Sequence, residues 1–70
     1  MSKALYYFDL GIGYMQSGKP EKAIKSFKKA IKIDPDHAKS HFHLGNAYNE
    51  SGKCEEAIES YEQAIRIDPD

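Results

Sequence analysis

Seventy residues, 40% of them apolar and 30% charged, make one small foldable unit with too short a chain to build a pocket-forming enzyme core. A net charge of −1 gives no overall attraction to nucleic acid or to an anionic bilayer, and no run approaches the ~20 apolar residues of a membrane span. A single cysteine excludes an internal disulfide, and the N-terminus has no secretion-type leader, so the expected compartment is the cytoplasm.

Residues 1–3 are expected to form a short tail. From about Ala4 to Gln16, the residues Tyr7, Leu10, Gly11 and Tyr14 recur at i, i+3, i+4 and i+7, which puts them on one face of a first helix. Ser17 and Gly18 stop that helix, and Pro20 suits the first turn of the next. A second helix over about residues 20–33 carries Ala23, Ile24, Phe27, Ala30 and Ile31 on one side. Asp34, Pro35 and Asp36 then break the chain, and a short acidic side chain there is expected to cap the helix that follows. The third and fourth helices, about 37–50 and 54–67, repeat the pattern with His41, Leu44, Gly45 and Tyr48, then Ala57, Ile58, Tyr61, Ala64 and Ile65. Gly11 and Gly45 fall inside helices, where glycine costs about 1 kcal/mol relative to alanine. Their presence predicts close approach of the paired helix.

Moving residues 4–36 forward by 34 positions places them on residues 38–70 with 18 of 33 pairs identical. Such a period divides the chain into two supersecondary units, 4–37 and 38–70, neither able to bury its apolar face alone. Such units present surfaces and carry out no chemistry of their own, so no enzyme activity and no cofactor are expected.

The spacing Tyr7-x2-Leu10-Gly11-x2-Tyr14, Ala23-x3-Phe27-x2-Ala30 and Pro35 resembles the tetratricopeptide repeat family. So does its second occurrence, His41-x2-Leu44-Gly45-x2-Tyr48, Ala57-x3-Tyr61-x2-Ala64 and Pro69. His41 is the departure, because the family favours a bulky apolar or aromatic residue there. The resemblance implies an all-α fold of two antiparallel helix-turn-helix units stacked as a fragment of a right-handed α-solenoid. It further implies a protein or peptide partner held on the first helices. The groove positions it assigns are Leu5, Phe8, Ile12, Met15 and Gln16 in the first unit and Lys39, Phe42, Asn46, Asn49 and Glu50 in the second. The first set reads as an almost wholly apolar strip, the second as one aromatic among polar groups. Family members that clamp a terminal carboxylate use lysine and asparagine where this chain has Phe8 and Ile12, so Asn46 alone predicts no such clamp.

A rival expectation is structural. Tetratricopeptide arrays usually end in a polar-faced helix that shields the last unit, and none follows residue 67, so Ile58, Tyr61 and Ile65 are expected to form a partly open face suited to self-association into a homo-oligomer. Outside, Lys22, Lys25 and Lys28 correspond to Glu56, Glu59 and Glu62; these are expected chiefly to form a solvated face, and lysine–glutamate pairs between units, the alternative, would contribute only about 0.2–1 kcal/mol each. His37, His41 and His43 lack the carboxylate or cysteine partners of a recognisable metal site, and Cys54 is expected to be a small, partly buried residue at a helix start.

Overall fold

Four apolar periodicities fold into four helices: α1 (Lys3–Gln16), α2 (Pro20–Ile33), α3 (Ala38–Glu50) and α4 (Cys54–Ile67). The computed structural model describes residues 2–69; Met1 of the expected tail and Asp70 of the repeat lie outside the described residues. Lys3 belongs to α1 and not to a tail, because the Ser2 hydroxyl accepts the Ala4 N–H at 3.2 Å and starts the helix there. The expected acidic cap of α3 is not formed. His37 occupies the N-cap position, while the Asp34 carboxylate accepts the Asp36 N–H at 3.3 Å and so shapes the preceding turn. His37 instead directs Nδ1 at the Ser40 hydroxyl, 2.6 Å away.

The α1–α2 and α3–α4 turns have identical construction. Gly18 and Gly52 adopt φ of 72° and 77°, a left-handed conformation that glycine enters without steric penalty. The Lys19 N–H then donates to the Tyr14 carbonyl at 2.8 Å and the Gly18 N–H to Met15 at 3.1 Å, and Lys53 and Gly52 repeat both bonds on Tyr48 and Asn49. This Schellman arrangement satisfies the orphan carbonyls at the helix end. Two residues later the chain has reversed, so successive helices pack antiparallel and α1 runs parallel to α3.

Each helix pair closes on its internal glycine: a Cβ on Gly11 would stand 2.5 Å from the Phe27 ring, and one on Gly45 would stand 2.7 Å from the Tyr61 ring. The close approach expected of both glycines is thus in place. The core lies between the units, at the α2–α3 junction, where Ala23, Ile24, Phe27, Leu44 and Ala47 are buried and Phe8, Ile12, Ile31 and Tyr48 pack around them. That position of the core makes the units unequal. Leu10, expected inside, is 37% exposed, whereas its counterpart Leu44 is 6% exposed. The reason is coverage: α3 is packed between α2 and α4, while α1 has a packed helix on one side only.

Candidate functional site

Of the ten groove positions, Leu5, Gln16, Lys39, Phe42, Asn49 and Glu50 are exposed, and Phe8, Ile12, Met15 and Asn46 are half-buried. The apolar strip expected on α1 is therefore not free along its length. Phe8, Ile12 and Met15 pack against the α2–α3 core, and the Phe8 ring meets Phe27 of α2 and His43 of α3. Leu5 and Phe42, 48% and 49% exposed, are the apolar side chains left open to solvent. Both lie in the first half of their parallel helices, and Gln16, Asn49 and Glu50 lie at the far ends. Character thus changes along the wall from apolar to polar, besides differing between units.

Asn46 is occupied as well: its side-chain oxygen accepts the Tyr61 hydroxyl. That bond joins α3 to α4 where the first unit has Ile12 and Phe27, a purely apolar contact. Tyr61 is half-buried, held by this bond and by the tilted Phe42 ring 5.7 Å away. Ile58 and Ile65, on the same side of α4, are 56% and 62% exposed. An open depression of about 360 Å³ bordered by Lys39, Phe42, Ala64 and Ile65 joins the start of the wall to this α4 face.

Sequence spacing alone did not reveal the role of His43. Its ring stacks on Phe27 at 5.9 Å and receives Phe8 and Phe42 edge-on, each at 5.3 Å, while His37 meets Phe8 from the other side at 5.1 Å. The imidazole thereby joins α1, α2 and α3. Burial holds its pKa below the ordinary value, and the nearby Lys39 and His37 charges push it the same way. The available sequence signal was the replacement of Asp9 by His43 under the 34-residue shift, at a position the repeat pattern leaves free. His41 fills its aromatic position by a polar route, with Nε2 2.9 Å from the Pro35 carbonyl.

Among the described residues, Lys22, Lys25 and Lys28 make no ion pair with Glu56, Glu59 or Glu62, in keeping with a solvated outer face. Lys22 and Lys29 lie over the Tyr14 and Tyr7 rings at 5.9 and 5.3 Å, and Lys53 makes an ion pair between units with Glu21 at 3.9 Å. Cys54 is exposed at the first position of α4, not partly buried. Among the described residues no three His, Cys, Asp or Glu side chains are grouped to hold a metal ion, and no helix is long and apolar enough to cross a membrane.

The sequence profile of a family described as Tetratricopeptide repeat matches residues 8–70. Among solved structures, the crystal structure of MamA superposes with a TM-score of 0.89 at 30% sequence identity, covering 94% of this chain. The chain spans 39% of that protein's length. No curated protein matches the sequence.

Proposed function

Because the chain belongs to the tetratricopeptide repeat family, we propose that it acts as an interaction module which holds a peptide or a helix of another protein along the wall formed by α1 and α3. Repeats of this family generally mediate protein–protein interaction and typically serve as non-catalytic scaffolds. The observation that carries the reading is the pair of half-exposed apolar side chains, Leu5 and Phe42, on adjacent first helices with open polar positions beyond them. An amphipathic ligand would set its apolar end on these two and its polar end toward Gln16, Asn49 and Glu50. Such a mixed strip suits a short helix or extended segment. Covering the open half of one such side chain contributes about 1 kcal/mol, so affinity rests on the pair acting together. Alanine at Phe8 or Ile12 would disturb the core and the wall at once, which makes Leu5 and Phe42 the cleaner probes.

The test is selection of 12-residue peptides from a randomised display against the chain, with Leu5→Ala and Phe42→Ala measured beside the parent. Selected peptides are expected to bind each variant several-fold more weakly. Peptides that bind both variants as tightly as the parent would reject the wall as the site.

A further inference from the structure

The buried core of the molecule lies at the α2–α3 junction, and the two helix faces that meet there recur at opposite ends of the chain, each more open to solvent than its internal counterpart. On α2, Ala23, Ile24 and Phe27 are 0%, 7% and 0% exposed; on α3, Ser40, Leu44 and Ala47 are 0%, 6% and 0% exposed. Moved forward by 34 residues, the α2 half becomes Ala57, Ile58 and Tyr61 on α4; Ala57 is buried and Tyr61 half-buried against α3, while Ile58 is 56% exposed and Ile65 beyond it 62% exposed. Moved back by 34, the α3 half becomes Tyr6, Leu10 and Gly13 on α1. There Tyr6 and Leu10 are 56% and 37% exposed, and a side chain at position 13 would meet nothing within 4 Å.

We propose that these faces fit each other: α4 of one molecule takes α1 of a second copy of this chain, repeating between molecules the packing that α2 and α3 make within one. On α1 this interface uses another side of the helix from Leu5 and Gln16, while on α4 its Ile65 borders the depression that Phe42 lines.

Two further features set the same register. Glu21 at the start of α2 pairs with Lys53 at the N-cap of α4 across the internal junction, 3.9 Å apart. Their counterparts, Glu55 and Lys19, are both present, and stacking sets Glu55 of one copy against Lys19 of the next. Charge selects the same direction. Lysines crowd α2 and glutamates crowd α4, so a head-to-tail stack alternates basic and acidic helices along its outer surface. A two-fold contact of α4 on α4 would oppose glutamate to glutamate, which complementary interfaces avoid.

Where the two halves differ, bulk is exchanged between neighbours. Ser40 and His43 lie at i and i+3 on α3, and α1 carries Tyr6 and Asp9 in their places, so small-then-large becomes large-then-small on one helix face. The room that the His43 ring fills against Phe27 within the chain goes, between copies, to the Tyr6 ring against Tyr61. Different patches meeting in this way leave one of each free on a dimer, so copies continue to add, into an open stack or a ring.

The experiment uses two blocked variants: Ile58→Glu with Ile65→Glu, which spoils the α4 face, and Leu10→Glu, which spoils the α1 face. Helicity by circular dichroism checks folding, and Leu10→Ser replaces Leu10→Glu if the latter loses helicity. In sedimentation from about 5 to about 200 μM, the parent is expected to grow in mass with concentration beyond a dimer. Each variant alone is expected to stay monomeric, and an equimolar mixture is expected to form a dimer and grow no further. A parent that is monomeric throughout, a blocked variant that still dimerises alone, or a mixture that stays monomeric would each overturn the proposal. A monomeric parent would leave the α4 face to a helix of some other chain.

Discussion

Gly11 and the Phe27 ring occupy one another's only available space: a Cβ on Gly11 would lie 2.5–2.8 Å from three ring carbons. Phe27 is wholly buried and cannot swing aside. Gly11→Ala is therefore expected to destabilise the fold by about 1–2 kcal/mol, overpacking outweighing the roughly 1 kcal/mol that alanine gains in helix propensity. Gly13→Ala, two residues on in the same helix and facing open space, is expected to stabilise by up to about 1 kcal/mol. Urea midpoints at a fixed low concentration would separate the two, and equal effects would refute this account of Gly11.

The wall residues divide by what lies beneath them. Phe8 is in ring contact with Phe27 and His43, so Phe8→Ala is expected to cost about 2–3 kcal/mol, near the lower end of core phenylalanine losses. Leu5→Ala, at a largely open position, is expected to cost less than about 0.5 kcal/mol. Thermal unfolding followed by circular dichroism measures both.

Stability is expected to fall on mild acidification because of His43. Its folded pKa lies below the ordinary 6.5 through burial first, then Lys39 and His37, so just below pH 6.5 the unfolded chain binds the proton that the folded chain refuses. The unfolded state is then favoured as pH drops, the loss levels off below the folded value, and full stability returns above about pH 6.5. His43→Gln is expected to flatten this part of the urea-midpoint profile between pH 5 and 7.5. A profile of unchanged slope would remove His43 as its cause.

Tyr61 and Asn46 make a bond that phenylalanine at 61 would lack, as Phe27 does in the first unit. Tyr61→Phe is expected to cost about 0.5–1.5 kcal/mol. The same bond keeps the Asn46 carboxamide engaged, and Phe8 and Ile12 supply no charge beside it. Calorimetric titration with a chaperone C-terminal peptide is therefore expected to show no binding tighter than about 100 μM. Tighter binding would overturn the expectation.

Sequence periodicity reaches this far because helix formation and helix stopping are local. The places of Gly18 and Gly52, Pro20 after the first turn and the glycines facing aromatic rings are all legible as spacing. Expectation and structure part where a neighbour in space decides the outcome. The acidic cap of α3 is absent because Asp34 and His37 organise that turn, and the open apolar strip on α1 is shorter than its spacing suggests because Phe8, Ile12 and Met15 pack against the α2–α3 core.

The 34-residue repeat by itself determined four helices, two units and the positions at which they can touch. Tertiary structure alone decided which copy of each shared residue is covered. Ile24 is 7% exposed and its counterpart Ile58 is 56% exposed; Leu44 is 6% exposed and Leu10 is 37%. Identical residues in identical local structure differ because burial depends on the helix stacked beside them, and within the chain that stacking occurs once, between α2 and α3.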